Sequence, residues 1–307
     1  MSAEVERSLL RLGARGSALS RAQAELVRAA LGGESVEVVY VTTTGDRRSA
    51  AGQPITWKGD FTRELDEALR EGRIDFAVHS LKDVPAVVAG DLVLAAVPRR
   101  EDPSDVLVSN GGLRLAELAR GARVGTSSPR RRAQLLIARP DLRVEEIRGN
   151  VDTRLRRLRE GRCDALVLAR AGLARLGRLE EIVEVLPEDT VLPAPGQGAL
   201  AIFARASDTR TLELLSTLED PASRSEVVAE RRLLARLEAG CRAPVAARAR
   251  AEGGRLRLSA AVFSPDGSRV LREAGESRES PQELGEEVAR RLLERGAADL
   301  IREAESP

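Results

Sequence analysis

Short apolar runs alternate with helical patterns over the first two thirds of the chain. Runs such as Val36–Val41 and Ile74–Val78 are typical of buried strands, whereas the spacing of apolar positions over Ala18–Leu31 indicates a helix with one buried face. This alternation is the pattern of βαβ units and predicts an α/β fold with mostly parallel sheets. The other elements predicted here are strands at Leu9–Leu12, Leu92–Val97, Asp105–Val108, Val144–Ile147, Ala165–Leu168 and Ala199–Phe203, and helices at Thr62–Glu71, Arg130–Ala138 and Val151–Arg159.

The pattern changes in the last third. Helices are predicted over Ala222–Leu237, with Gly240 as a C-terminal cap, and over Gln282–Ile301. Strands in series beside helices predict a small antiparallel α+β domain. The proline-containing segments Pro98–Pro103 and Pro193–Gly198 interrupt the α/β pattern, so we expect two α/β lobes followed by this domain. The three expected strands of the last domain are Val245–Ala249, Leu256–Phe263 and Arg269–Arg272.

Composition narrows the range of functions. The 307 residues carry 49 basic and 48 acidic side chains and only 2% aromatics, which argues against a dedicated nucleic-acid binder. No apolar run approaches the ~20 residues of a membrane span, and the N-terminus lacks the build of a signal peptide, so we expect a cytoplasmic protein. Two cysteines and a single histidine argue against a disulfide framework and a metal cluster. Nothing indicates an obligate interface, so a monomer is expected.

Arginines recur where a predicted strand passes into a helix. In the segment Gly125–Arg132, Ser128 is the expected helix cap and Pro129 the first helical residue, followed directly by Arg130 and Arg131. Arginines at a helix N-terminus oppose the helix dipole, unless an anion binds there. Any single arginine is readily explained as a solvated surface residue. Open α/β sheets, however, bind ligands at strand C-terminal ends, and arginines recur there, which indicates a ligand with several carboxylates or phosphates. The same layout recurs at Arg148–Arg154, at Arg15–Ser17 and around Arg175.

Only two of the 49 basic residues are lysines, Lys58 and Lys82. Ser80, Lys82 and Asp83 emerge at the carboxyl end of a buried strand. A local ion pair between Lys82 and Asp83 is one interpretation, and an acid, base or charge stabiliser at the sheet edge is the other. His79 alternates with the exposed positions and is expected to pack as a satisfied, semi-buried residue.

The two cysteines differ in their surroundings. Cys163 enters a predicted strand, where a small buried thiol is the default expectation. Cys241 follows Gly240 on a loop beside Arg242, and nearby cations lower the pKa of a thiol. Cys241 is therefore either a nucleophile or an ordinary loop residue.

Together these motifs resemble the porphobilinogen deaminase family, also called hydroxymethylbilane synthases. Each motif is weak by itself, but they occur in the family's order across almost the whole chain, and that conjunction is specific. The matching segments are Arg11–Ser17, Ala77–Pro85, Arg100–Pro103, Val124–Arg131, Arg148–Arg154, Pro195–Ala199 and Glu238–Cys241.

The resemblance implies two periplasmic-binding-protein-like lobes and a third domain. The first lobe would consist of residues 1–98 together with 198–218, the second of residues 103–193, and the third domain of residues 221–307. The chain would cross back to the first lobe after Gln197. The implied activity is a transferase of tetrapyrrole (porphyrin and heme) biosynthesis. It joins four porphobilinogen molecules head to tail, releases ammonia at each step and hydrolyses off hydroxymethylbilane. A dipyrromethane cofactor would be attached to Cys241 through a thioether.

The resemblance also implies roles for the residues at the strand ends. Asp83 is expected to stabilise the azafulvenium cation that forms when ammonia leaves, and Lys82 to hold a carboxylate or orient Asp83. The segment Trp57–Phe61 matches an active-site flap, but Gln53 and Pro54 depart from the Lys- and Gly-rich sequence expected there. The implied cofactor-binding residues are Cys241, Ser80, Lys82, Thr126, Ser128, Arg130, Arg131, Arg148 and Gly149. The implied substrate-binding residues are Arg15, Ser17, Lys58, Phe61, Ser127, Arg154, Arg175 and Gln197.

The alternative is a solute-binding or regulatory module that binds a carboxylate ligand between similar lobes. It predicts an N-terminal signal or a DNA-binding helix-turn-helix, and neither is visible in the sequence. It also leaves Cys241 and the third domain without a use.

Overall fold

The secondary structure follows the predicted alternation of strands and helices. The computed structural model describes residues 9–33, 35–50, 53, 58–88, 90–240 and 243–305, and none of the helices in these ranges is long and apolar enough to cross a membrane. The strands are β1 (Leu10–Arg15), β2 (Val36–Val41), β3 (Phe76–Ser80), β4 (Leu92–Ala96), β5 (Asp105–Ser109), β6 (Arg123–Gly125), β7 (Arg143–Glu145), β8 (Ala165–Ala169), β9 (Glu184–Val185), β10 (Leu200–Arg205), β11 (Val245–Glu252), β12 (Arg255–Phe263) and β13 (Val270–Ser277). The α-helices are α1 (Ala18–Ala30), α2 (Thr44–Ala50), α3 (Arg63–Arg70), α4 (Pro129–Ala138), α5 (Val151–Arg159), α6 (Arg170–Arg175), α7 (Thr209–Ser216), α8 (Pro221–Arg236), α9 (Pro281–Glu294) and α10 (Ala297–Glu305). Short 3₁₀ turns lie at Lys58–Phe61, Leu81–Asp83, Asn110–Gly112, Leu115–Glu117 and Leu179–Glu181.

The first five-stranded sheet has the order β2-β1-β3-β10-β4. Strand β1 pairs in parallel with β2 and β3, whereas β10 runs antiparallel between β3 and β4. Leu65 of α3 packs on one face of the sheet and Val27 of α1 on the other. Because Leu200 at the start of β10 lies opposite Ser80, the residues just before β10 lie beside the carboxyl end of β3.

The second five-stranded sheet, with the order β7-β6-β8-β5-β9, repeats this plan. Its antiparallel strand is β5. The chain crosses from the first sheet to the second just before this strand, at residues 97–104, which we call the first passage. The antiparallel strand of the first sheet, β10, follows the second passage at residues 186–199. The two parallel-rich lobes and the C-terminal domain confirm the predicted fold class. The domain boundaries themselves stay a prediction.

The third sheet is antiparallel, in the order β11-β12-β13, and helices α8, α9 and α10 pack on it. Its core includes Leu233 of α8, Leu258 of β12 and Val288 of α9. Ala246 and Phe263 pack in a separate cluster with residues of the second lobe, among them Ala133 of α4 and Leu192. This cluster joins the third domain to the second lobe.

Some helix ends differ from the sequence-based prediction. The single helix expected over Gln282–Ile301 is two helices, because Gly296 takes a left-handed conformation (φ +92°) between α9 and α10. Helix α8 ends at Arg236, and the left-handed residue after it is Glu238 (φ +52°), so the assignment of Gly240 as the cap was wrong. Helices α2, α6 and α7 and strand β9 were not predicted, because they are too short to show a clear apolar period.

Candidate active site

A cleft of about 800 Å³ lies at the strand ends of both lobes. Arg15 ends β1 and Ser80 ends β3 on one side, while the end of β8 and the start of α5 form the other side. Seven arginines and Lys82 line the cleft, against two carboxylates, Asp46 and Asp83. Such an excess of positive charge favours a ligand that carries several negative charges.

The structure brings most of the expected site residues together. Lys58 begins a 3₁₀ turn, but its side chain lies outside the described residues, as does all of Cys241. Pro54 and Trp57 of the expected flap also lie outside them, and Gln53 is exposed. The expected residues that line the cleft are Arg15, Ser17, Phe61, Ser80, Lys82, Asp83, Arg131, Arg148, Gly149, Arg154 and Arg175. Those that do not line it are Thr126, Ser127, Ser128, Arg130 and Gln197.

Lys82 and Asp83 reach the cleft because the chain turns sharply after β3. Leu81 anchors the turn: its side chain is buried, and its N–H donates to the backbone oxygen of Ala199 at 3.0 Å. Gly196 (φ +74°) packs against the turn, where a β-carbon would come within 3.1 Å of Leu81 Cγ. Burial lowers the pKa of Lys82 to about 8, although nearby Asp83 opposes this. Lys82 has no hydrogen bond or ion pair within 4 Å to a described residue, so its ammonium can bind a ligand.

Arg154 and Arg175 line the cleft without a carboxylate within 4 Å in the described part of the chain. Arg154 donates to the backbone oxygen of Gly149 at 2.8 Å and to Ser127 Oγ at 3.3 Å, and Arg175 donates to the backbone oxygen of Gly198 at 2.6 Å. Burial lowers the pKa of both arginines to about 10, so both stay charged at neutral pH. A partly buried cation with only neutral partners gains stability when an anion binds. These two side chains therefore favour a carboxylate or phosphate ligand.

Arg15 is held by a carboxylate that the sequence did not single out. Its Nη2 lies 2.5 Å from Asp46 Oδ1, and its guanidinium stacks 4.0 Å from the centre of the Phe61 ring. Thr43 donates to Asp46 Oδ2 through its N–H at 3.2 Å and its hydroxyl at 2.8 Å. Burial alone would raise the pKa of Asp46, but the bonds from Arg15 hold it below its ordinary value. Gly45 lies so close that a β-carbon there would be 2.3 Å from Phe61 Cδ1, so these residues form one tightly packed unit.

Asp105, at the start of β5, is fully buried and binds both arginines of the α4 N-terminus. Its Oδ2 lies 2.7 Å from Arg130 Nη1, and its Oδ1 lies 2.7 Å from Arg131 Nη2. Gln197 donates to the same Oδ1 at 2.9 Å. Burial alone would raise the pKa of Asp105, but the two guanidinium groups override it and lower the pKa to about 2. Asp105 thus offsets part of the charge of Arg130 and Arg131 inside the protein. Gln197, which also donates to the backbone oxygen of Pro103 at 2.6 Å, braces the second passage between the lobes.

The hydroxyl residues before α4 shape the turn there. Ser128 caps α4 by accepting from the N–H of Arg131 at 3.4 Å, which confirms the predicted cap. The hydroxyl of Ser127 donates to the backbone oxygen of Ile147 at 3.1 Å, and Thr126 Oγ1 accepts from the N–H of Ser128 at 3.2 Å. These hydroxyls are therefore engaged in holding the turn that places Arg131 at the cleft.

His79 and Cys163 are both buried. Burial and the nearby Arg15 lower the pKa of His79 to about 3, so the imidazole is neutral. His79 Nε2 has no hydrogen-bond partner among the described residues, which differs from the satisfied histidine that was expected. Cys163 is fully buried and burial raises its pKa to about 11, which confirms the expected buried thiol.

Sequence reasoning missed other residues of the cleft, among them Asp46, Arg156 and Arg157. Arg157 donates to the backbone oxygen of Arg148 at 3.1 Å. Its position three residues after Arg154 puts both on one face of α5, a helical spacing that would have identified it. Asp46 had no such signal, because its partner Arg15 lies 31 residues away in sequence.

Two family profiles match the chain. The profile described as porphobilinogen deaminase, dipyromethane cofactor binding domain, matches residues 10–213, and the profile described as porphobilinogen deaminase, C-terminal domain, matches residues 225–294. A protein named porphobilinogen deaminase from Rubrobacter xylanophilus is 55% identical over 94% of this chain and 95% of its own length. One of the same name from Roseiflexus castenholzii is 47% identical over 96% and 99%. Among solved structures, the periplasmic VFT2 domain of Bordetella pertussis BvgS is similar, with a TM-score of 0.41, 16% identity, and coverage of 73% of this chain and 92% of that one.

Proposed function

The chain belongs to the porphobilinogen deaminase family, and on that basis we propose which of its residues serve each part of the family's reaction. The reaction belongs to tetrapyrrole biosynthesis: a transferase joins four porphobilinogen molecules head to tail with loss of ammonia and releases hydroxymethylbilane by hydrolysis. The relatives favour this enzyme over a solute-binding or regulatory module.

The observation that carries the proposal is the set of unpaired cations on the cleft wall. Lys82, Arg154 and Arg175 line the cleft without a carboxylate within 4 Å among the described residues. Each porphobilinogen unit carries an acetate and a propionate, so a growing chain accumulates carboxylates. Because charge-assisted hydrogen bonds are stronger than neutral ones, the cleft suits a polycarboxylate chain far better than a neutral ligand.

The dipyrromethane cofactor fits the same donor set, because it consists of two pyrrole units and carries their carboxylates. When bound, it supplies the covalent primer to which the first substrate unit is joined. We assign its attachment to the thiol of Cys241. We assign its noncovalent contacts to Ser80, Lys82, Arg131, Arg148 and Gly149, which line the cleft. We assign an indirect role to Thr126, Ser128 and Arg130, which hold the turn and the helix start that place Arg131 at the cleft.

Substrate carboxylates are assigned mainly to the arginines of both lobes. Arg15 is already oriented by Asp46 and Phe61, and Arg154 and Arg175 are unpaired, so these three guanidinium groups are preorganised for anions. The full set of residues assigned to the substrate is Arg15, Ser17, Lys58, Phe61, Ser127, Arg154, Arg175 and Gln197. Ser127 and Gln197 act indirectly, through their contacts with Arg154 and Arg131.

Asp83 is assigned the electrostatic role in the reaction. Loss of ammonia from the aminomethyl group of porphobilinogen leaves an azafulvenium cation whose charge is shared with the pyrrole nitrogen. The carboxylate of Asp83 faces the cleft, where it can accept the pyrrole N–H and stabilise the cation as it forms. The α-carbon of the waiting pyrrole then bonds to the methylene carbon and loses its proton, which restores aromaticity. At release, the bond from the first methylene carbon of the four-unit chain to the primer would break, and water would supply a hydroxyl to that carbon and a proton to the α-carbon it leaves.

Intact-mass measurement and turnover test these assignments. The wild-type chain is expected to carry the mass of a covalent dipyrromethane and to consume porphobilinogen, and Cys241→Ser to do neither. Asp83→Asn is expected to keep its melting temperature but to lose about 10²–10³-fold in kcat. The matched control is Asp91→Asn, an exposed carboxylate outside the cleft that pairs with Arg70.

Two outcomes would contradict the assignments in different ways. A wild-type chain of unmodified mass that consumes no porphobilinogen would refute the proposed function. Near-normal turnover in Asp83→Asn would refute only the role given to this carboxylate.

We further propose that the enzyme acts as a monomer in the cytoplasm. One chain supplies the described wall of the cleft from both lobes, so the site needs no partner for these residues. The pairing of β10 with β3 supports a first domain formed by residues 1–98 and 198–218. Light scattering coupled to gel filtration measures the oligomeric state, and a stable dimer would contradict the proposal.

A further inference from the structure

Arg231 lies on α8, and its side chain crosses from the third domain to the first lobe. Its Nη2 donates to the backbone oxygens of Pro85 at 2.8 Å and Ala86 at 2.9 Å. No carboxylate of a described residue lies within 4 Å of it, and burial lowers its pKa to about 10. Because a guanidinium partly withdrawn from water and given only neutral partners adds little to stability, its presence here points to a role in positioning.

The two carbonyls come directly after the turn that presents Lys82 and Asp83 to the cleft. Ala86 also packs against the apolar core of the third domain. Glu230, the neighbour of Arg231 on α8, holds the same turn from another side. It accepts the N–H of Gly196 at 2.6 Å, and a β-carbon on Gly196 would lie only 3.2 Å from the backbone nitrogen of Lys82. Two consecutive residues of α8 thus hold this part of the chain: Arg231 binds the carbonyls after the turn, and Glu230 binds Gly196, which packs against the turn.

The same helix leads to the cysteine assigned to the cofactor. Helix α8 ends at Arg236, five residues before Cys241 in the sequence. We propose that Arg231 is a positioning residue, which fixes the turn bearing Lys82 and Asp83 relative to α8 and so to the domain assigned to carry Cys241. This inference rests on the roles proposed above for Asp83 and Cys241. Arg231 does not line the cleft, so it acts through the turn and not on the substrate.

The link between α8 and the turn has a kinetic consequence. The third domain sets the reach of the attached pyrrole chain, whereas Asp83 belongs to the first lobe. Misplacement of a catalytic group by about 1 Å can lower a rate ~10²-fold. Because the cations of the cleft are not altered, losing the bonds of Arg231 is expected to lower kcat and to leave KM nearly unchanged.

The test compares Arg231→Met with Arg224→Met, both as the full-length holoenzyme. Arg224 is a matched control, because it lies on the same helix and donates to first-lobe carbonyls, those of Leu94 at 3.1 Å and Ala95 at 3.2 Å, without lining the cleft. Methionine retains an unbranched apolar stem and removes the charge and the donors.

We expect Arg231→Met to keep the covalent dipyrromethane, a melting temperature within a few degrees of wild type and a KM within about threefold, while kcat falls ~10–100-fold. Arg231→Lys should recover part of the lost kcat, because an ammonium can still donate to one of the carbonyls. Arg224→Met should keep kcat within about twofold of wild type, since its bonds do not reach the turn.

A kcat within twofold of wild type in Arg231→Met overturns the inference. An equal loss of kcat in Arg224→Met also overturns it, because the effect would then come from the general packing of α8. If Arg231→Met does not fold, Arg231→Lys decides: a lower kcat at an unchanged melting temperature supports the inference, and a wild-type kcat overturns it. A wild-type chain without dipyrromethane or turnover would instead refute the proposed function, whatever the variants do.

Discussion

Replacing Asp105 with asparagine removes the anion that two buried arginines share. Arg130 and Arg131 each lie 2.7 Å from an oxygen of the fully buried Asp105, and neither has another carboxylate within 4 Å among the described residues. Asparagine has the same shape, but its NH₂ group would face guanidinium donors. Breaking a buried pair by removing one partner costs about 3–5 kcal/mol. We expect the free energy of unfolding of Asp105→Asn to fall by that amount.

The pKa of Asp105 supports a loss of stability of this size. Its fall from 3.8 to about 2 in the folded chain corresponds to roughly 2–3 kcal/mol in favour of the folded state at neutral pH. Because the folded pKa lies below the unfolded one, this contribution is complete above about pH 4 and is lost as the pH falls towards 2. The substitution costs more than acid does, because it also leaves the arginines without a charged partner at neutral pH.

Urea and thermal unfolding at pH 7 measure the effect. At ~2–4 °C per kcal/mol, Asp105→Asn should melt ~6–20 °C below wild type. Asp91→Asn, which breaks the exposed pair with Arg70, is the control and should change stability by no more than about 1 kcal/mol. Wild type loses stability in acid as Asp105 is protonated, and Asp105→Asn should lack this part of the loss. A melting temperature within about 2 °C of wild type would refute the reasoning.

Two further predictions concern binding in the cleft. Lys82 loses its charge as the pH rises through its pKa of about 8, which weakens its proposed contact with the carboxylates of the cofactor. We therefore expect kcat to fall above that pH and Lys82→Arg, which stays charged, to remove this fall; a wild-type kcat that stays flat from pH 7 to about 9.5 would contradict the proposed contact. Asp46→Asn removes the charged partner that orients Arg15 and should raise KM about tenfold with little change in kcat, a result that steady-state kinetics beside Asp91→Asn can check. An unchanged KM in Asp46→Asn would show that Phe61 alone orients the guanidinium.

Local sequence patterns predicted the architecture correctly. The apolar run that became β3 and the cap Ser128 with Pro129 depend on interactions within a few residues, so they are visible in the sequence. Lys82 and Asp83 were expected at the end of that run, and both line the cleft. The order of weak motifs along the chain predicted the family, and the family profiles confirmed it.

The same local patterns predicted the C-terminal ends of α8 and α9 incorrectly. Gly296 lies inside a continuous apolar period, and only its left-handed conformation divides α9 from α10. Glu238 takes a left-handed conformation that is uncommon for a side chain with a β-carbon, and the nearby Gly240 was the more natural choice. Their neighbours Ala297 and Leu237 lie in the core of the third domain, a contact that the local pattern does not show.

Composition shows 49 basic residues, and the tertiary structure decides what those of the cleft and the core do. Arg15 meets Asp46 across 31 residues of sequence, Arg131 meets Gln197 across 66, and Arg231 meets Pro85 across 146. An arginine is solvated, balanced by a buried carboxylate or left unpaired at the cleft according to the group that the fold places opposite it. Local sequence predicts strands, caps and turns because those interactions are short-range, whereas the partners of the cleft and core arginines are set by the packing of segments that are distant along the chain.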